Sequence, residues 1–479
     1  MPDDDQACLE FSPEVMSAMA HLAAEHVVDH IAGLGEAPSC GDTDASEICR
    51  RLQEPPPEEG ASFESLLEPY FSDWVHRTIG TAGPGYLAYV PGGGVYPAAL
   101  ADFIADATNR YTGVWAAAPV LVQLEANVLE WIRQWMAFPE TTEGLLTTGG
   151  SMATFTAIVC ARERHLGAEI RKGVIYVSSQ THHCVAKAAR LAGIHPDRIR
   201  SLPVDEFFRM EIDALKEAVN QDRQSGLTPF LVVSSAGTTN TGAVDPLDGV
   251  ADFAEREGLW HHCDAAYGGF FHMVDEFRPL LSGLSRADSL ALDPHKGLFL
   301  PYGTGALLVS DGSALRDAHA ATAGYLPPRA EDGFYDPSQV GPELSRDYRG
   351  LRVWLTIKLY GTARLRAAVA EKRCLALHAA GRLEKSPHIH LVAPPQLSLF
   401  AFHCTWPEAT LEEENQATRD LVDCVTGRGR VMISGCDLDG RYLARVCVLS
   451  FRTRTAQMEN AITDIEAEAE SLAQQRSGA

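Results

Sequence analysis

Long apolar runs are missing from this sequence. No run of about twenty apolar residues without charge occurs, so no membrane span is expected. Basic residues are scarce: 40 Lys and Arg stand against 64 Asp and Glu, a net charge of −24. Duplex DNA and anionic membrane both repel such a surface, so no nucleic-acid or membrane partner is expected. A small anionic ligand held by local donors stays open. No CxxC pair occurs among the 11 cysteines, which run from Cys8 to Cys447 and read as reduced, small core residues. The opening Met1-Pro2-Asp3-Asp4-Asp5 is acidic where a secretory leader is basic, so a cytoplasmic location is expected. No internal repeat of about 20–50 residues is evident.

What is present is a chain of 479 residues, 46% of them hydrophobic, enough to bury a large core in roughly three domains. Residues 1–80 read as a helical arm. Ser12 is a good N-cap, Pro13 suits the first helical position, and Met16, Ala20, Ala23, Val27, Ile31 and Leu34 form one apolar stripe. Gly33 and Gly35 close that helix. Pro55-Pro56-Pro57 breaks the chain, and Phe63, Leu66, Leu67 and Phe71 suggest another short helix. With little core of its own, the arm is expected to dock on another surface, a partner subunit being one.

Residues 81–355 have an α/β texture. Strands are expected at Gly144–Thr147, Gly173–Ser178, Phe230–Ser234, Leu259–Cys263, Ser289–Leu292 and Ala306–Val309. Several are apolar on both faces, as a mostly parallel sheet covered by helices requires. One helix is well marked: Asp245 is expected to cap it, Pro246 to open it, and Val250, Phe253 and Ala254 to face inward. Residues 356–479 read as a smaller α+β domain. A helix reaches about Arg382, strands are expected near Leu397–Phe402 and Arg441–Leu449, and a last helix carries Met458, Ile462, Ile465, Ala469 and Leu472 on one stripe.

Three segments carry chemistry. They are Thr147-Thr148-Gly149-Gly150-Ser151, His261-His262-Cys263-Asp264-Ala265-Ala266-Tyr267 and Asp293-Pro294-His295-Lys296-Gly297. Each follows an expected strand, at the edge where open α/β sheets bind ligands. Lys296 lies in apolar sequence, and burial lowers an ammonium's pKa toward the free amine that attacks an aldehyde; a plain surface lysine is the alternative. Asp264 needs a partner, which a protonated pyridine nitrogen would supply, although a cap or an ion pair would serve equally. Gly149-Gly150-Ser151 opens a helix, and its bare N–H groups can hold a phosphate or simply make a turn. Gly237-Thr238-Thr239 is a second strand exit rich in donors. The histidine pairs 182–183 and 261–262 could suggest a metal, but neighbours on a strand point to opposite faces and no third ligand has suitable spacing.

These segments resemble the pyridoxal-5′-phosphate-dependent amino-acid decarboxylases of the aromatic-amino-acid and glutamate decarboxylase group. The resemblance runs from about Phe11 to Ser471. It implies the aspartate-aminotransferase-like fold type I, with a helical arm, a large cofactor domain and a small C-terminal domain, as a homodimer with sites at the interface. It implies pyridoxal 5′-phosphate held on Lys296, with His295 near the phosphate, Gly150 and Ser151 in the phosphate turn, and Asp264 on the pyridine nitrogen. Ala266 and His182 would cover the two ring faces, with Thr239 beside the ring substituents. Spacing alone does not choose between His182 and His183.

The implied reaction is loss of carbon dioxide from an L-amino acid, most naturally an aromatic one, giving the amine. Tyr325 would return the proton to the α-carbon, from a Pro- and Gly-rich segment readable as a catalytic lid or a plain loop. In related enzymes loss of this tyrosine diverts the chemistry toward oxidative deamination. Tyr89, Gly92 and Trp115 fall in segments that resemble the substrate pocket. Gly92 stands where the aromatic group often has a hydroxyl residue, so open space is expected there. Val90 replaces a common phenylalanine and Gly297 a common tryptophan. Asp293 would repel a phosphate dianion and is expected to turn away as a loop cap. Arg346 could neutralise charge near the site or make an interdomain ion pair. Aldehyde synthase or aminotransferase chemistry, or a silent family member acting as a binding partner, are the competing readings.

Overall fold

Seven strands form the main sheet: β1 (Glu143–Thr147), β2 (Gly173–Ser178), β3 (Ile199–Leu202), β4 (Thr228–Ser235), β5 (Trp260–Asp264), β6 (Ser289–Leu292) and β7 (Gly305–Val309). The computed structural model describes residues 8–41, 45–321, 324 and 333–477. The spatial order is β1-β7-β6-β5-β4-β2-β3. Pairing is parallel from β3 through β2, β4 and β5 to β6, and β7 runs against both β6 and β1. Six strands form within two residues of their expected bounds. The edge strand β3, Ile-Arg-Ser-Leu, was not expected: only one of its four residues is buried, so it carries no continuous apolar run.

Strands β2, β6 and β7 are buried at every position because helices cover both faces. The alternation of side chains splits the core. Leu290 and Leu292 of β6 pack with Leu129, Ile132, Val353 and Ile357 from the helices Pro119–Trp135 and Arg349–Leu383. Ala291 faces the opposite way, toward Ala153 and Ala157 of the helix Gly150–His165.

The helix expected after Asp245 spans Leu247–Glu257, with Val250, Phe253 and Ala254 buried. Asp245 does not cap it. Its buried carboxylate accepts instead from the N–H groups of Met210 and Ser235, each at 2.7 Å, and burial pushes its pKa up to about 6. A tie across the sheet replaces the local cap.

Beyond the main sheet, β8 (Ile389–Leu391), β9 (Leu399–Cys404), β10 (Ser434–Leu438) and β11 (Arg441–Cys447) form an antiparallel sheet in the order β10-β11-β9-β8. Met458, Ile462, Ile465, Ala469 and Leu472 of the last helix are buried in its core. The helix Arg349–Leu383 joins the two sheets and bends at Gly361, whose φ of 72° lies in the left-handed region. The step between residues 355 and 356 therefore falls inside one helix.

The arm begins with the helix Pro13–Gly33, capped by Ser12, whose hydroxyl accepts from the Val15 N–H at 3.3 Å. None of its 21 residues is buried. Among the described residues no helix is long and apolar enough to cross a membrane.

Candidate active site

Five strands that run in one direction deliver their carboxyl ends to one cavity of about 290 Å³. That is near the lower limit of small-ligand pockets, roughly 300–1,000 Å³. Thr148, Gly149, Gly150 and Ser151 follow β1; His182 and Cys184 follow β2; Gly237 and Thr239 follow β4; Asp264 ends β5 and Ala266 follows it; Asp293, His295 and Lys296 follow β6. With Val90 also on the wall, residues up to 206 positions apart, from 90 to 296, share one cavity. This is the sheet edge singled out from sequence.

Each polar side chain has a specific setting. Asp264 is enclosed by protein yet faces the cavity, and its Oδ1 accepts one hydrogen bond, from the Ala266 N–H at 3.2 Å. Burial raises its pKa, and Lys296 pulls the other way. His182 accepts the Cys184 N–H on Nδ1 at 3.4 Å, and burial, with His183 and Lys296 nearby, lowers its pKa to about 4. At neutral pH its proton therefore sits on Nε2. His295 has the opposite tautomer. Its Nδ1 lies 2.7 Å from the Thr304 carbonyl, which only accepts, so Nδ1 carries the proton and Nε2 faces the site. Thr304 is itself held by Arg352, whose Nη1 donates to its hydroxyl at 2.9 Å while Nε donates to Asp102 at 2.7 Å.

Lys296 departs from expectation. Burial does lower the pKa of its ammonium, but Asp293, 2.8 Å away, outweighs burial, and Asp264 adds to it; the net shift is upward. Lys296 is an ammonium held by a carboxylate, and its proton must leave before the amine can attack. Asp293 does not turn away as a loop cap either. It precedes the short helix Pro294–Gly297 without capping it, and its Oδ1 accepts the Gly150 N–H at 2.7 Å. The sequence showed the repulsion Asp293 would exert on a dianion but not the Lys296 ammonium and the helix start that draw it inward.

Gly92 is not open space. A Cβ there would lie 2.4 Å from the His295 carbonyl oxygen and 3.4 Å from the Tyr302 ring. Gly297 is filled in the same way, since its Cβ would come within 2.7 Å of Phe270, a fully buried residue. Phe270 thus takes the volume next to the lysine. Restoring a hydroxyl residue by Gly92→Thr is expected to destabilise the fold by about 1–3 kcal/mol, because backbone must move. Thermal unfolding of the full chain checks this, and an unchanged midpoint would contradict it.

Val90 lines the cavity, whereas Tyr89, Gly92 and Trp115 are not on its wall in a single chain. The Tyr89 ring is exposed, and Trp115 stacks on Phe334 with centroids 4.9 Å apart. Tyr325 lies outside the described residues. Arg346 is away from the cavity, in a buried ion pair with Glu125 at 2.7 Å, with its other nitrogens on the Thr112 carbonyl. Cys184 was missed by sequence reading, although it stands two residues after His182; burial pushes its thiol up to about 12, so it stays protonated. His261 and His262 are structural. Their rings meet Ser234 at 2.7 Å and Ser289 at 2.8 Å, and burial lowers them to about 3 and about 4. Among the described residues no group of three or more His, Cys, Asp or Glu side chains is placed to hold a metal ion.

The donor set fits one group: a lysine amine for an aldehyde, an enclosed carboxylate for a ring cation, and a helix start with the Ser151 hydroxyl for a phosphate, where the Gly150 N–H is shared with Asp293. A Cβ on Gly150 would lie 3.1 Å from the Ala266 methyl, a contact tight enough to narrow the cradle. Comparison with known proteins agrees. Residues 47–405 match the pyridoxal-dependent decarboxylase conserved domain. The chain is 33% identical to an aromatic-L-amino-acid decarboxylase of Bacillus atrophaeus over 97% of both sequences. It is 25% identical to a phenylacetaldehyde synthase of Arabidopsis thaliana over 96% of both. A crystal structure of Oryza sativa TDC with PLP and tryptamine superposes with a TM-score of 0.91 at 27% identity, covering 96% of this chain and 99% of that one. The fold is that of type I pyridoxal-phosphate enzymes, and pyridoxal 5′-phosphate is the cofactor. The chain belongs to the pyridoxal-dependent decarboxylase family.

Proposed function

We propose that this chain removes carbon dioxide from an aromatic L-amino acid and releases the amine. The observation that carries the reading is the convergence of Lys296, Asp264 and the Gly149–Ser151 helix start on one cavity. The bound cofactor supplies an aldehyde and a conjugated ring that takes up the electrons of the breaking bond. Lys296 provides the amine that holds the aldehyde, and Asp264 holds a proton at the ring nitrogen. Gly150, Ser151 and His295 would hold the phosphate, and Thr239 would lie beside the ring. Ala266 and the neutral ring of His182 cover the ring faces, and the Nε2–H of His182 orients the substrate carboxylate. The contribution of His182 would be one of orientation, holding the substrate carboxylate where the bound cofactor could take up the electrons of the breaking bond. Tyr325 returns a proton to the α-carbon.

The test is a panel of tryptophan, tyrosine, DOPA, phenylalanine and glutamate with amine and carbon dioxide both measured. Amine and carbon dioxide in equal amounts from at least one aromatic substrate are expected. Aldehyde with carbon dioxide, or keto acid without it, as the main product would refute simple decarboxylation to the amine. For Tyr325→Phe, amine output is expected to fall by about 10²-fold, the low end for a lost proton donor, with part of the product appearing in air as aldehyde, dissolved dioxygen being the oxidant and ammonia and hydrogen peroxide the by-products. Equal amine rates and product ratios in variant and parent would remove Tyr325 from the mechanism.

The same proposal includes a homodimer with sites at its interface, the division 1–80, 81–355 and 356–479, and a cytoplasmic setting. Support for the dimer comes from the arm, whose helix has no buried residue while Phe11, Val15, Met16 and Val28 are exposed. Phe103, Ile104 and Val120 add exposed apolar surface on the large domain. Tyr89 and Trp115 are assigned to the part of the substrate pocket that a partner completes. All eleven cysteines are free, which suits a reducing compartment. Met16→Glu combined with Val28→Glu is expected to shift sedimentation from dimer toward monomer and to lower activity with it. A variant that stays dimeric would show that the arm is not the contact.

A further inference from the structure

Arg445 is a buried cation whose hydrogen-bond partners among the described residues are one hydroxyl and three backbone carbonyls, with no carboxylate among them. It stands on β11, in the small sheet, and its fork points at the large domain. Its Nη1 donates to the Ser434 hydroxyl at 3.0 Å and its Nε to the Asn240 carbonyl at 3.0 Å. Its Nη2 donates to the Thr239 carbonyl and, at 3.4 Å, to the Tyr89 carbonyl. A buried guanidinium is costly unless its donors are met, and here backbone carbonyls from two separate loops meet them.

Both loops form cavity wall. Thr239 lines it directly, and Val90, next to Tyr89, lines it from the other loop. Tyr89 has a φ of 52°, in the left-handed region that an aromatic residue rarely adopts. That conformation is pinned at both ends. The Tyr89 N–H donates to the Ser434 hydroxyl at 3.1 Å, and its carbonyl accepts from Arg445. Arg445 and Ser434 therefore hold a strained turn in place, and the turn sets where Val90 meets the cavity. Strained backbone persists where the surroundings over-determine it.

We propose that Arg445, with Ser434, is the positioning residue that fixes the Val90 and Thr239 walls of the substrate pocket from the small domain. It acts through backbone and touches neither cofactor nor substrate. The proposal rests on the reading that this cavity is the decarboxylase site. Its consequence is that Arg445 governs substrate binding and choice rather than the chemistry at Lys296 and Asp264. Lysine cannot replace it, because one ammonium cannot span the carbonyls of residues 89, 239 and 240 as a planar fork does.

The test uses the full-length enzyme loaded with pyridoxal 5′-phosphate and compares the parent with Arg445→Lys, Arg445→Met and Ser434→Ala. Expected in both Arg445 variants is a visible cofactor absorbance like the parent's, a KM for the preferred aromatic substrate raised about 10-fold, and kcat changed less than KM. The ratio of kcat/KM between tryptophan and tyrosine is expected to shrink toward one in both. Ser434→Ala should move KM and that ratio in the same direction by a smaller factor. Rescue of KM by lysine would overturn the fork argument. A lower melting temperature with unchanged KM and unchanged substrate ratio would reduce Arg445 to a structural tie. If the Arg445 variants do not fold, Ser434→Ala decides: an unchanged ratio there also overturns the proposal. Cofactor absorbance and amine output of the parent report separately on the decarboxylase reading, so failure of one is distinguishable from failure of the other.

Discussion

Replacing Lys296 by alanine is expected to abolish the cofactor's visible absorbance shift and to lower amine formation by about 10³-fold or more. The same change is expected to weaken the fold. Lys296 is 2.8 Å from Asp293 and lowers the charge cost of Asp264 as well. Without it two carboxylates share one enclosed space and the cation is gone. Breaking such a pair costs about 3 kcal/mol, the low end of the range for buried ion pairs. Lys296→Arg separates the two effects. Arginine keeps a cation beside Asp293 but has no amine able to condense with an aldehyde, so stability is expected to recover and activity is not. Absorbance, amine release and thermal unfolding on all three proteins check this. Parent-like absorbance in Lys296→Ala would end the assignment of Lys296, and equal stability of the alanine and arginine variants would end the ion-pair argument.

The sheet and the polar residues at its edge were legible because they are written locally. Leu290–Leu292 and Val174–Val177 are short apolar runs followed by polar or glycine-rich turns, so period and punctuation mark them without any knowledge of neighbours. What was not legible depends on contacts far along the chain. Asp293 turns inward because Gly150, 143 residues earlier, offers it an N–H. Gly92 is closed by the carbonyl of His295 and Gly297 by Phe270, so a missing side chain in sequence became filled volume in space. The rise in the Lys296 pKa follows from the same cause: burial can be inferred from an apolar flank, but the carboxylate that outweighs it cannot. Asp245 shows the pattern at a helix start, where a sequence-local cap gave way to two backbone partners from elsewhere. The edge strand β3 was missed because only one of its four residues is buried, which leaves no apolar signature.

Asp264→Asn is expected to act in opposite directions on activity and on the stability of the chain stripped of cofactor. Activity should fall by about 10²–10³-fold, the usual loss when a preorganised charge facing a reacting group is removed. Asparagine can still accept the Ala266 N–H, so local geometry is kept, but it cannot hold a proton on a ring nitrogen as an ionised carboxylate does. Stability should move the other way. Burial raises the Asp264 pKa in the folded chain above its unfolded value. A group shifted in that direction contributes stability that is fully present below the unfolded carboxylate pKa and is lost as pH rises through the folded value. The stripped parent should therefore lose stability relative to Asp264→Asn as pH rises from acid to neutral, and the two should converge on acidification. Melting temperatures of both proteins across that range, beside amine release from the loaded enzymes, test the pair of signs. A variant that is less stable than the parent at neutral pH would mean that Asp264 is a satisfied structural carboxylate. A loss of activity smaller than tenfold would remove it from the chemistry and leave the Ala266 N–H and the Lys296 ammonium as its partners.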